Sequence, residues 1–218
     1  MNGQFKITLI NLKMKKILLS AAAVIAFAFN AQAQETTGVT GFSEGDVFMT
    51  GSVGFGTTKN GDNKSDQFNI SPKAGYFVTS NIAIGAQIGY TSRTTSVENP
   101  LGPGSVDQDT NSFSVGAFGR YYFTPARNFS FFGQLGVDYV TDKTEVEGLP
   151  GESKNNGFNV GLAPGVSYFV SEHIAFEATF GFLGYNTSKP DVDGAESTDS
   201  FNIGFDLTNI NFGIVCKF

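Results

Sequence analysis

Few residues in this chain have the types and spacing that do chemistry. There is one His, His173, and one Cys, Cys216, which excludes a Cys/His zinc array and a disulfide framework. His173 has no Ser or carboxylate at a spacing that marks nucleophilic catalysis, and Cys216 reads as a small hydrophobe on a terminal strand. Asp138 and Glu177 are carboxylates that an acid/base pair would use. With Lys73 and Arg120 they instead read as a structural interior polar network, because buried charges require partners. The run from Asp191 to Asp199 offers oxygen ligands but lacks the twelve-residue calcium-loop pattern, so it reads as a solvated acidic cluster. The glycines fall within alternating segments, not between a strand and a helix, which argues against a phosphate-binding loop. We therefore expect no catalytic residue, no metal site and no cofactor, and a chain that is not an enzyme.

These residues are set in 218 positions that include 27 Gly, 23 Phe, 7 Tyr and no Trp, with a formal charge of −6. That aromatic content is too high for a disordered chain, and the acidic balance argues against nucleic acid as a partner. Residues 1–33 have a composition of their own. Lys15 and Lys16 precede a short apolar core from Ile17 to Phe29, and Ala31-Gln32-Ala33 supplies the small-x-small ending of an export signal. Such a core is too short for a membrane helix, which needs about 20 residues. The expected division is an upstream extension and cleaved signal over 1–33, a short periplasmic segment over 34–45 and a barrel over 46–218, with Met14 the more natural start. Four of the 14 basic residues and none of the 20 acids lie in residues 1–33, so the remainder carries a charge of about −10.

After Gln34 the hydrophobic period is two, which is the strand signal. Eight alternating segments are expected at about 46–57, 66–78, 81–94, 111–124, 128–142, 156–170, 173–187 and 200–218. Short turns fall at Thr79-Ser80, Pro125-Ala126 and Ser171-Glu172, and longer polar links cover about 58–65, 95–110, 143–155 and 188–199. A meander with every second link short closes into an all-β, eight-stranded antiparallel up-and-down barrel. One face of each strand is apolar, as in Ile82, Ile84, Ala86, Ile88 and Tyr90, or Ile174, Phe176, Ala178, Phe180 and Phe182. The other face is small, Gly-rich and sparsely charged. That mixture suits a narrow lumen better than a solvated surface, so the apolar face is assigned to lipid. The barrel is therefore transmembrane, with short periplasmic turns and long extracellular loops.

Aromatic residues fall at two levels. Phe68, Phe113, Phe158, Tyr90, Tyr139 and Tyr185 lie beside the long links, while Tyr76, Tyr121 to Phe123 and Tyr168-Phe169 lie beside the short turns, as interfacial girdles do. In the last segment the apolar parity changes between Leu207 and Phe212, which predicts a bulge or break near Thr208 to Asn209. Pro72 and Pro164 sit inside strands, where each must interrupt one ladder bond.

The stretch from Phe68 to Val78, followed by Asn81-Ile82-Ala83-Ile84-Gly85 and Gly89-Tyr90, has an internal echo in Phe158 to Val170, His173 to Glu177 and Gly184-Tyr185. With the terminal Phe218 on an alternating strand, it resembles the small outer-membrane β-barrel proteins of Bacteroidetes-type bacteria, similar in shape to the OmpA transmembrane domain and OmpX. The resemblance implies residence in the bacterial outer membrane and Phe218 as a barrel-assembly signal. The expected partners are outer-membrane lipid, lipopolysaccharide and the assembly machinery, the expected state is a monomer, and, unlike in full-length OmpA, no peptidoglycan-binding module is expected after Phe218. Three roles follow as expectations: a structural or surface-interaction barrel whose acidic loops meet an extracellular ligand, a narrow porin-like channel, or a lipid-modifying enzyme, which the missing constellation disfavours.

Overall fold

A computed structural model describes residues 41–61, 63–98, 104–204 and 210–218. The expected signal segment lies outside the described residues. Ten strands follow in order: β1 (Val47–Asn60), β2 (Asn63–Phe77), β3 (Ile82–Glu98), β4 (Ser105–Tyr122), β5 (Phe129–Val146), β6 (Ser153–Phe169), β7 (Ile174–Phe180), β8 (Leu183–Pro190), β9 (Thr198–Ile203) and β10 (Ile210–Lys217). Each pairs antiparallel with its neighbours. β7 and β8 both pair with β6 and form one stave; β9 pairs with β8 and β10 with β7, forming the next. β1 then closes on β10 from Phe48↔Lys217 to Gly51↔Ile214, giving a closed eight-stave barrel.

The strands run further toward the long-link rim than alternation predicts. β1 and β2 are separated only by residues 61–62, and β5 continues to Val146. In these extensions both faces are polar, so the period-two signal fades while the ladder persists. Cross-strand pairs sustain it: Thr94 donates to Asp109 at 2.6 Å, Ser96 to Asp107 at 2.6 Å, and Thr141 to Asn156 at 3.0 Å.

The two prolines each keep one full partner. Pro72 is in register with Gly51 on β1, while the β2–β3 ladder lapses between Ile70↔Tyr90 and Lys73↔Gln87. Pro164 is in register with Gly133 on β5 and faces a discontinuity on its other side. There, three steps from Gly165 to Leu162 oppose four from Thr179 to Leu183, so the seventh stave carries one extra residue at Gly181-Phe182. A bulge absorbs the donor that proline lacks. It also corrects the expectation of one unbroken strand over 173–187 with Phe182 continuing the outward set: past the bulge, Leu183 and Tyr185 take the outward positions, in register with Leu162 and Val160. In the eighth stave, Phe201 and Ile203 are exposed as are Phe212 and Ile214, so the parity does change. The predicted break at Thr208 to Asn209 lies outside the described residues.

Alternation divides the barrel sharply. Phe131 is 57% exposed on the outer face and its neighbour Phe132 is 1% exposed within. Inside, at the short-turn rim, Phe48, Phe77, Phe118, Tyr122, Phe132 and Phe169 pack with Ala83, Ala175 and Val215 into an aromatic stopper. Tyr122 and Phe169 therefore belong to the interior and not to the girdle assigned from sequence, because their parity is opposite to that of Tyr121 and Tyr168. Phe42, from the segment before β1, completes the stopper. Its ring lies 4.6 Å from Phe77 and 4.8 Å from Phe169, and its backbone N–H donates to Pro125 O at 2.7 Å. Gly41 permits this approach: its φ is +137°, and a Cβ there would stand 2.6 Å from Pro125 O. Lys217 on the last strand donates to Gly41 O at 2.6 Å and lies 3.8 Å from Asp46, tying the last strand to the segment before β1 at one rim.

Two outcomes are expected. Phe42→Ala lowers the unfolding free energy of the refolded barrel by about 3 to 5 kcal/mol in urea titration, as for other buried Phe truncations. At the opposite rim, Asp66 accepts from Lys64 at 2.5 Å and Thr57 at 2.6 Å, and these hold its carboxyl below the ordinary 3.8. A depressed carboxyl stabilises the hairpin above pH 3.8 and loses that contribution as pH falls through its folded value. Carbon NMR of the Asp66 carboxyl should show a midpoint under 3.8 that moves up in Lys64→Met.

Candidate functional site: the barrel lumen

The charges predicted to face inward do so, and the lumen sorts them into two groups. Arg120 on β4 is 1% exposed and meets Glu177 on β7 through two hydrogen bonds, Nη1 to Oε2 at 2.8 Å and Nη2 to Oε1 at 3.3 Å. Its Nε donates to Gln134 at 2.8 Å and its Nη1 to the Tyr122 hydroxyl at 3.0 Å, while Thr50 donates to Glu177 Oε1 at 2.8 Å. The guanidinium also lies over the Phe132 ring, 4.5 Å from its centroid, and 5.3 Å from that of Phe118. This satisfied pair caps the aromatic stopper from above.

Lys73 and Asp138 are not part of that pair. They belong to one continuous ladder, Thr50↔Lys73↔Gln87↔Gly116↔Asp138↔Asn159↔Asn186, contributed by β1 to β6 and β8. Gln87 Nε2 donates to both Asp138 oxygens, at 2.6 and 2.8 Å. Gly116 makes room for this bond, since a Cβ there would stand 2.2 Å from Asp138 Oδ1. No carboxylate oxygen among the described residues lies within 4.0 Å of Lys73 Nζ; its nearest aromatic partner is Phe118, at 6.0 Å. The single four-charge network expected from sequence is thus one ion pair, one amide-held carboxylate and one lysine that makes no contact ion pair among the described residues and feels Glu177 and Asp138 only at longer range, because the stopper takes Arg120 and Glu177 to a different level.

Around Lys73 the lumen widens into a polar cavity of about 510 Å³, lined by Ser71, Ser114, Asp138, Asn159 and Asn186, with Glu177 at its floor. The other candidates lie elsewhere. His173 sits in the turn before β7, where its N–H donates to Ser171 Oγ and its carbonyl accepts from Lys217 N. Asp191 starts the β8–β9 link, held through its backbone to Lys154 O, and among the described residues no group of three or more His, Cys, Asp or Glu is placed to hold a metal. Cys216 is in register with Met49 and Ile174 on the outer face, and Phe218 follows β10, partly exposed. Sequence reading missed the stopper. The signal was available in the shared parity of Phe48, Phe77, Phe118 and Phe132 with the Gly and Ser positions around them.

The family model for the outer membrane protein beta-barrel domain matches residues 19–218. The chain belongs to that family. As a member, it is a bacterial outer-membrane barrel, its apolar outer face meets lipid, and its short turns are periplasmic. A solved structure shares the fold. OprG of Pseudomonas aeruginosa is 16% identical with a TM-score of 0.55, over 83% of this chain and 99% of that one. Neisserial surface protein A is 17% identical with a TM-score of 0.46, over 80% and 100%. No curated protein matches the chain.

In this outer-membrane barrel, Glu177→Ala leaves Arg120 charged and buried, and should cost about 3 to 5 kcal/mol in unfolding titrations. The double variant Arg120→Met/Glu177→Leu should recover most of that loss, since it removes both charges and keeps the volume.

Proposed function

We propose that the protein is a non-enzymatic, monomeric outer-membrane barrel with a structural or surface-interaction role, closed to axial passage. One observation carries this reading. From Phe42 up to Arg120 and Glu177, the periplasmic half of the lumen is filled by packed rings and a satisfied ion pair. Eight staves leave an interior that side chains can fill, and here large ones fill it. The strand extensions, with Asp107, Asp109, Asp142 and Glu145 among their Thr and Ser residues, make a polar acidic rim above the lipid. We assign contact with an extracellular ligand, and with lipopolysaccharide beside the barrel, to this rim. The terminal Phe218 serves as the mark read by the assembly machinery.

The competing reading is a narrow channel, favoured by the polar cavity above the stopper. Planar-bilayer recording on the refolded barrel separates the two. The expected record stays at the baseline of the bare bilayer; stable unitary current steps from the wild-type protein would overturn the closed-lumen reading in favour of the channel.

A further inference from the structure

We propose that the barrel wall carries a lateral site for a single-chain anionic amphiphile of the fatty-acid class, entered from the outer leaflet between β1 and β10. Among the described residues the β1–β10 ladder stops at Gly51↔Ile214. Continuing its register would set Val53 against Phe212 and Phe55 against Ile210, and neither pair forms. Both strands nevertheless run on, β1 in register with β2 as far as Asn60↔Asn63 and β10 with β7 as far as Ile210↔Phe180. The two edges have therefore parted, and a cavity of about 610 Å³ is lined by both of them. Val53 shares a ladder row with Ile70, Tyr90 and Phe113, which places the opening at the upper aromatic girdle. Unpaired backbone at membrane depth is tolerated only where it lines a polar space, and this edge does so.

The two sides of the opening differ in chemistry. On the lipid side Val53, Phe55 and Phe212 are exposed and offer an apolar track for an acyl chain. On the lumen side Gln67, Asn69 and Asn211 are neutral polar groups around one cation, Arg93. Arg93 stands on β3, two staves from the seam, and lines the same cavity because the inward positions of β1 there are Gly54 and Gly56. Its Nε and Nη2 both donate to Gln67 Oε1, at 3.1 and 2.6 Å, which fixes the plane of the guanidinium. None of the ion pairs among the described residues includes Arg93. The outer edge of the guanidinium keeps its donors, and a carboxylate has two oxygens spaced to meet such a fork. One cation among neutral groups suits a singly charged head. A head at the girdle with its chain in the leaflet is the disposition of a fatty acid. The site lies beside the lumen's blocked axis, so it does not depend on whether the barrel conducts.

Fluorescence quenching of the barrel refolded into neutral phospholipid vesicles tests this. The chain has no Trp, so Phe212→Trp puts a single indole at the seam, and Phe113→Trp puts one on the ordinary lipid face in the same ladder row as Val53. Dibromostearate should quench the Phe212→Trp protein saturably, at about tenfold lower concentration than the Phe113→Trp protein, because a charge-assisted fork holds it there. Its uncharged methyl ester should quench both alike. Adding Arg93→Gln should abolish the difference, while Lys143→Met, which removes a rim charge on β5, should leave it unchanged. Equal quenching at the two positions, an ester as effective as the acid, or a difference that survives Arg93→Gln would overturn the proposal. So would an indole at the seam shielded from both probes, the result expected if the chain itself or a second copy fills the opening. Should Phe212→Trp not fold, judged by loss of its heat-dependent gel shift, Phe55→Trp reports from the facing edge; should Arg93→Gln not fold, the comparison of acid with ester decides.

Discussion

A strand that crosses hydrocarbon must pair every backbone N–H and C=O within the protein, because no water is there to take them. Everything else in this molecule follows from the sheet closing on itself to meet that demand. Closure brings β1 against β10, and with it Lys217 of the last strand against Gly41 and Asp46 before the first. It also explains why the two in-strand prolines are tolerated. Each keeps a complete register on one side and places its missing donor where the other ladder lapses or bulges.

Closure makes an interior too narrow for many long side chains, and this chain fills it in two ways. Near the periplasmic rim, large rings pack as in a soluble core, with Phe42 inserted from outside the sheet. Above them, Gly, Ser and Asn leave room, and the few charges are held individually: Arg120 by Glu177, Asp138 by Gln87. Gly116 shows how the cup depends on small residues, since a Cβ there would collide with the Asp138 carboxylate that Gln87 holds. One half of the lumen is thus a stopper and the other a cup, although the same alternation runs through both.

Much of the fold was legible because lipid imposes a one-face pattern. Runs such as Ile82, Ile84, Ala86 and Ile88 mark both the strand and its outward side, and the alternating link lengths mark the meander. Three things escaped. The strand extensions have no apolar face once they leave lipid, so Ser96 and Asp107 read as loop although they pair across strands. The bulge at Gly181-Phe182 depends on what Pro164 needs on a strand far away in sequence. The stopper was hidden because Phe is expected on the lipid face, and only parity separates Phe131 from Phe132.

The sequence by itself determined the compartment-level facts: a closed antiparallel barrel, the lipid-facing residues, and the identity of the four interior charges. It could do so because period-two alternation is a local property that survives without knowing which strands meet. The tertiary structure alone decided which charges pair, where the lumen is blocked and which polar groups are left over. Those outcomes depend on the register between strands and on side chains reaching across a curved interior. Lys73, Arg120, Asp138 and Glu177 share a face in sequence, but only closure sets Arg120 against Glu177 and Asp138 against Gln87.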